Sequence, residues 1–494
     1  MIKDNFKSAV LSSYFYTFLT LIASIFVTRY IFNFFDNSQY GIFILIVETI
    51  AVFEILDFGF SGGMLSFLSR ETNNYTRINK IVSTLFYCQL ALSLIAFLSA
   101  FLIYINPSFL FPDSEIEVLS LKNGILLASF SLFFTMINKS ISQVIYSRRK
   151  ITKDNLIKIF SLSTRLALIF GLLHIYKSIE FLIMVLLITQ LVNFICSIYL
   201  VKNLEPNIKF DIKNFDLKVL REVWNVSSWF AIGGLSIILI ERFDNIMTGM
   251  LLSTASITIL VITRKLFDIS KSFIFQLNNN YRPYFGKMLG EKKHNIAMIK
   301  FRNLSTISVL SATIIGSGII IINEFFIDLW VGEGKFGGIF LSLILFFNLA
   351  FHAWKITYRA FLSSNLIAKE LAISSLLEGL LNLILAYILG INFGLIGIVS
   401  STFISGFIVN SFIFLFINNK YNFEPNFNLI SRNLYQLIFV VSIGFFSIII
   451  SILINSLLLK LSVWIVSVLT LLFIVKIFFF KNYTLNSFIK GEIL

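Results

Sequence analysis

The 494-residue chain is poor in charge, proline, cysteine and histidine. Charged residues make up 13% of it and hydrophobic ones 57%, whereas soluble globular chains carry about 25% and about 45–50%. That deficit excludes a soluble assembly and a disordered chain. Five prolines leave no room for a Pro-rich linker. Cys88 and Cys196 lie inside apolar runs and build no disulfide framework. His174, His294 and His352 are scattered, without metal-ligand spacing, so no metal site is expected. A Walker-type phosphate loop is also missing, as is any loop long enough to fold as an enzymatic or nucleotide-binding domain. No enzymatic activity and no resident cofactor are expected.

What the chain has is long apolar runs and a mean hydropathy of +0.87. A helix needs about 20 mainly apolar residues to cross the hydrocarbon core. Fourteen segments meet that requirement: 10–32, 40–66, 81–105, 118–146, 155–175, 179–201, 224–251, 256–280, 303–323, 338–361, 371–391, 394–417, 434–457 and 461–480. The runs are continuous rather than alternating with period two, which excludes a barrel. The first residues, Met1 to Lys7, lead straight into a full-length span without a small-residue cleavage site, so no cleaved leader is expected. The expected fold class is an all-α polytopic membrane protein.

Charge supports the count. With an even number of spans and both termini in the cytoplasm, 27 of the 40 Lys and Arg residues fall on the inside, counting Lys158 and Lys476 near the inner ends of their spans. Only Lys177, Lys335 and Lys460 fall outside, and the other ten lie within spans. This loop-by-loop alternation follows the positive-inside rule. The net charge of +14 therefore reflects topology and an anionic inner leaflet rather than nucleic acid, since the cations form no single patch.

Spans 1–6 and 7–12 read as two related halves of like orientation. Asp36 to Gly41 opens span 2, with Arg70 following 29 residues after Gly41. Ser253 to Ile257 opens span 8, with Gly286 at the same distance after Ile257. The expected organisation is an N-terminal six-helix lobe (1–201), a cytoplasmic linker (202–223), a C-terminal six-helix lobe (224–420), and two further spans with a tail (421–494).

The run Tyr40-Gly41, then Ile55-Leu56-Asp57-Phe58-Gly59-Phe60, then Leu68-Ser69-Arg70, resembles the N-terminal signature of Wzx-type polysaccharide flippases. These belong to the multidrug/oligosaccharidyl-lipid/polysaccharide exporter superfamily. Asp244 near the end of span 7 and the Pro283 region closing span 8 extend the resemblance, which covers about residues 5–420. Asp36 departs from it, standing where the family often has a Leu-Gly pair. The resemblance implies two six-helix lobes around a central cavity, alternating access, and a bacterial inner-membrane location. It implies undecaprenyl-pyrophosphate bearing an oligosaccharide repeat unit as substrate, for O-antigen or capsule synthesis. Membrane lipids and the polysaccharide polymerase machinery are the other partners implied. A lipid II flippase and a cation-coupled multidrug exporter are the alternatives within the superfamily.

An ionisable side chain at the bilayer centre costs at least about 2.5–3.5 kcal/mol, so each one requires a partner, water or a function. In span 8, Arg264, Asp268 and Lys271 share one helical face, and Lys265 lies beside it. Arg242 lies in span 7, Arg165 midway along span 5, and Lys355 in span 10, four residues before Arg359. These six cations, Arg165, Arg242, Arg264, Lys265, Lys271 and Lys355, are the candidates for a wet vestibule that binds a pyrophosphate, since Arg forks grip phosphate oxygens and Lys adds a point charge. Glu54, Asp57, Asp244, Asp268 and Glu378 are the candidate sites for a coupling proton or sodium ion, with structural ion pairing as the competing reading. Arg29, Lys122 and Lys139 are expected to snorkel to an interface.

Overall fold

The computed structural model describes residues 6–421, except 69–70, 72–73, 106–117, 149, 292 and 365–366, and then 442–443, 446, 449–450, 453–454 and 456–479. All regular structure among the described residues is helical. The order is α1 (Phe6–Ile31), α2 (Asn37–Val52), a 3-10 turn (Phe53–Asp57), α3 (Phe60–Leu68), α4 (Tyr75–Ile105), α5 (Val118–Ser147), α6 (Ile151–Leu172) and α7 (Ile179–Leu204). Then come α8 (Leu217–Glu241), α9 (Phe243–Leu251), α10 (Thr254–Gly290), α11 (His294–Val331), α12 (Ile339–Ser364), α13 (Ala368–Tyr421) and α14 (Leu457–Phe479). The chain divides into two compact units, Met1–Thr258 and Ile259–Leu494.

Expected spans 1–12 and 14 each have their helix or helices; span 13, at 434–457, lies largely outside the described residues. Among the described residues, nine helices are long and apolar enough to cross a membrane. α10 fails that test on composition rather than length: it has 37 residues but carries Arg264, Lys265, Asp268 and Lys271. Spans 11 and 12 are the two arms of α13, folded back at Gly394, whose φ of 58° and ψ of −139° suit only glycine. The stretch between spans 8 and 9, expected as a loop, is largely helical. α10 and α11 run on past the core, and their ends bury Phe285, Phe301 and Leu304 against Tyr358, Phe361 and Phe414.

Helix directions within each unit test the span count independently. α1 and α6 run parallel, because Asn155 Nδ2 donates to Ser12 and Ser13 while Tyr30 Oη reaches the Phe170 carbonyl. α5 and α7 are also parallel, with Gly124 beside Ile183 and Phe134 beside Phe194. α4 and α5 are antiparallel, pairing Phe97 with Phe130 and Tyr104 with Lys122. In the second unit α10, α11, α12 and the two arms of α13 reverse at every step. The markers are Asn278–Ser308 and Thr263–Asn323, Asn323–Ser342, Lys355–Glu378, and Glu378–Asn410 with Asn382–Ser401. Spans 1 and 5 share a parity, as do 4 and 6, so a missed or extra helix between them would have reversed these pairs.

The glycines of the signature have structural reasons. Asp36 caps α2 through a capping box with Gln39, and Ser253 caps the start of α10 by accepting from Ser256 N. These two repeat-related starts pack on each other: Ser38 Oγ lies 2.8 Å from Thr254 Oγ1, and Thr258 Oγ1 donates to the Asn37 carbonyl at 2.6 Å. A Cβ on Gly41 would sit 1.8 Å from the Thr254 carbonyl oxygen, so only glycine allows the approach. Span 2 is broken where Phe58 and Gly59 take successive positive φ values of 46° and 71°.

The segment 202–223 is an ordered strap. Asn79 bonds Asn207 and Lys209, Ser83 accepts from Asp211 N, and Thr84 accepts from Asp216 N at 2.9 Å. Asp216 caps α8 and pairs with Lys80 at 2.9 Å. The Lys80 ammonium, helped by the Lys218 amide, holds the Asp216 carboxyl below the usual carboxylate range.

Gly41→Ala is expected to destabilise the protein by about 1–3 kcal/mol through overpacking, read as a lowered melting temperature in detergent; an unchanged value would contradict the close approach. Because the Asp216 pKa is depressed by folding, its contribution is full above about pH 3.9 and is lost as pH falls through the lower folded value. Hydrogen exchange at 207–216 should therefore accelerate only below that range.

Candidate functional site

In the first unit the charged residues converge at helix breaks. Glu48 projects from α2, Glu54 and Asp57 from the 3-10 turn, Lys139 from α5, and Arg242 from the junction of α8 and α9. Arg242 Nη1 lies 2.6 Å from Glu48 and Nη2 lies 3.8 Å from Glu54, whose other oxygen meets Lys139 Nζ at 2.6 Å. The result is an alternating chain of two acids and two bases with no net charge. Lys139, expected to snorkel, instead pairs with Glu54. The chain is not sealed: the Arg242 and Lys139 side chains are 31% and 32% exposed.

Asp57 is different. It is buried, Ser61 Oγ donates to one oxygen at 2.5 Å, and the other oxygen has no partner. Among the described residues no cation pairs with it. Asp244 is likewise buried, in the first turn of α9. Arg165, in α6, also lacks a carboxylate among the described residues; its electrostatic neighbours are the phenols of Tyr40 and Tyr16, and its Nε is buried without a hydrogen-bond partner.

The second unit holds the other candidates. Lys355 Nζ meets Glu378 Oε1 at 2.5 Å, and Asn410 Nδ2 donates to Glu378 Oε2 at 2.9 Å, so both carboxylate oxygens are engaged. Arg359 donates to Ser375. Lys271, Lys355 and Arg359 all lie within electrostatic reach of His352, whose Nε2 is buried and unpartnered. Glu378 lies within electrostatic reach of both Lys355 and Arg359. On α10, Arg264 Nε pairs with Asp268 at 3.2 Å, one turn along the same helix.

The exposed face of α10 is mixed: Asp268, Ser272 and Asn279 lie on it beside Phe273, 54% exposed, and Phe275. Asp268, Ser272, Phe275 and Asn279 recur at helical spacing, and the Asp268 side chain is 52% exposed. The corresponding stripes are apolar on α1, at Leu11, Phe15, Phe18, Ile22 and Phe26, and nearly so on α6, at Leu156, Phe160, Ser163, Ala167 and Phe170. α1 and α6 thus present surfaces suited to lipid, whereas α10 places polar and charged groups among the apolar ones. Arg264, Lys265 and Lys271 flank the α10 stripe, half-buried.

The structure thus gathers Lys271 and Lys355 around His352, and Arg242 with Glu54, while Arg165 stands apart with its two tyrosines. Composition and spacing had not singled out Glu48, Asn410, Tyr16 or Tyr40 as partners, because each meets its counterpart only across helices distant in sequence. Lys355 and Glu378, assigned to different roles, are one ion pair.

No family model matches the chain, and no curated protein sequence matches it either. Solved structures do share its fold. The lipid II flippase MurJ in an inward closed conformation superposes with a TM-score of 0.69 at 18% identity, covering 94% of this chain and 99% of that one. An inward-facing multidrug resistance MATE transporter of the MOP superfamily gives 0.67 at 13% identity, covering 80% and 94%. The MATE multidrug transporter DinF-BH gives 0.59 at 16% identity, covering 85% and 97%.

The buried pair yields a prediction. Glu378→Leu strands the Lys355 ammonium and should cost about 3–5 kcal/mol, whereas adding Lys355→Met should restore most of that loss. Thermal unfolding of both variants in detergent checks this, and an equal loss in the double variant would deny the pairing.

Proposed function

We propose that this multi-span membrane protein is a flippase. It moves undecaprenyl-pyrophosphate-linked oligosaccharide units across a bacterial inner membrane, by alternating access and without covalent chemistry. The observation that carries the reading is the set of exposed polar residues on α10, Asp268, Ser272 and Asn279, flanked by Arg264, Lys265 and Lys271. A spanning helix that turns Asp268, Ser272 and Asn279 outward borders an aqueous path. Its excess of positive charge suits a diphosphate: Arg forks take two oxygens each, and Lys screens the rest. Arg165, with no carboxylate among the described residues, supplies a further uncompensated cation. The same surplus disfavours cationic drugs as cargo.

The fold shared with a lipid II flippase is compatible with a polyprenyl-linked substrate. That structure covers 94% of the chain, and the two transporters 80% and 85%. Lipid II itself is the second reading, favoured by that coverage. For energy coupling, Asp57 is the preferred candidate, since Glu54, Asp268 and Glu378 are held in ion pairs and Asp57 has an oxygen without a partner. A proton or sodium ion would satisfy that oxygen.

Arg264→Gln with Lys271→Gln should reduce surface polysaccharide at least tenfold while the protein remains at normal levels in the membrane. Wild-type polymer from that variant would overturn the reading. Rescue of a strain depleted of its lipid II flippase would move the assignment to cell-wall synthesis, and dye efflux would move it to drug export. Asp57→Asn should abolish the dependence of transport on the ion gradient, with substrate binding retained.

A further inference from the structure

The strap between α7 and α8 separates its charges by direction. Its four acids are all used within the protein. Glu205 accepts from Tyr75 Oη at 3.5 Å, Asp211 from Lys213 N at 3.0 Å, and Asp216 pairs with Lys80 at 2.9 Å. Glu222 pairs with Arg77 at 3.4 Å. Its five cations, Lys202, Lys209, Lys213, Lys218 and Arg221, are all exposed, and none pairs with a carboxylate among the described residues. The strap therefore turns a positive surface outward although acids and bases nearly balance along it.

Large apolar side chains interrupt that surface. Ile212 and Leu217 are 63% and 71% exposed, and Phe215 and Trp224 are also exposed. Leu217, Arg221 and Trp224 fall at i, i+4 and i+7, one face of the first two turns of α8. Trp224 is fixed against Phe58 and Phe60, so its ring is held rather than loose. A soluble surface of this kind would expose greasy anchors to water at a cost, whereas the boundary between headgroups and acyl chains accepts both components: Trp and Leu below, Lys and Arg above. The strap lies at the ends of α4, α7 and α8, and the ends of spanning helices are where that boundary falls.

We propose that residues 205–224 form a binding site for anionic lipid headgroups. Ile212, Phe215, Leu217 and Trp224 enter the acyl boundary, and Lys209, Lys213, Lys218 and Arg221 engage phosphate oxygens. The strap is clamped to α4 through Ser83, Thr84 and Lys80, so it meets the lipid as a preformed surface and loses little freedom on binding. Since α8 starts from this strap and ends at Arg242, headgroup binding acts on the helix that carries the Glu48–Arg242–Glu54 chain.

The test uses the full chain in nanodiscs of neutral phosphatidylcholine. Cys88 and Cys196 are replaced by serine, and a fluorophore is placed at Asn225→Cys. Spin-labelled phosphatidylglycerol or spin-labelled phosphatidylcholine is added at equal, low mole fraction, and quenching is compared. Each cation near an anionic headgroup contributes about fivefold in affinity, so labelled phosphatidylglycerol should quench several-fold more strongly. The preference should vanish in the K209Q/K213Q/K218Q/R221Q variant, which removes no ion pair or side-chain hydrogen bond among the described residues, and should weaken in high salt. Equal quenching by the two lipids, or a preference that survives the four substitutions, overturns the proposal. Quenching by neither lipid also overturns it, placing the strap in water as a surface for an acidic protein.

Discussion

An ionised side chain in a hydrocarbon layer must be met by an opposite charge or by water, or it is not retained. The interior of this chain can be understood from that constraint, because its ion pairs differ in how far they are buried. Lys355 and Glu378 form a nearly dry pair: the carboxylate is 1% exposed and its second oxygen is occupied by Asn410. Such a pair adds little stability of its own but is costly to break, so it fixes α12 against the first arm of α13. The chain Glu48–Arg242–Glu54–Lys139 is neutral but open, and α10 carries its charges along a mixed face. The last two are partly exposed, unlike the Lys355–Glu378 pair.

The polar groups also sit where helices are interrupted. Asp57 ends the 3-10 turn ahead of Phe58 and Gly59, and Arg242 separates α8 from α9. A broken helix in a membrane frees backbone groups that need polar company, which makes breaks the natural places for ions and their ligands. The Leu-Asp-Phe-Gly-Phe run thus acquires a physical meaning: its glycine supplies the left-handed turn and its aspartate occupies the gap. Gly41 has a second task, since the Thr254 backbone fills the space a side chain would need.

Much of this was legible in the order of residues. The apolar runs located the helices, because the thickness of a bilayer sets their length, and the alternation of Lys and Arg set a parity that the parallel pairs α1–α6 and α5–α7 bear out. The repeat at Asp36 and Ser253 was visible as a likeness and turned out to be a pair of helix caps packed together. The hairpin extension of α10 and α11 was not legible. Its basic residues look like a loop until Phe285 and Phe301 are seen buried among aromatic side chains of α12 and α13.

The pairing of charges was the least legible feature. Arg264 and Asp268 lie one turn apart, and that spacing alone suggests their contact. Lys139 with Glu54, Arg242 with Glu48, and Glu378 with Asn410 are separated by 85, 194 and 32 residues. Hydrophobic length and loop charge act locally and along the membrane normal, so the residue order determined which segments cross and which residues carry charge. Which cation is neutralised and which is left to water depends on lateral packing between helices, where no local spacing rule operates, and only the tertiary structure decided it.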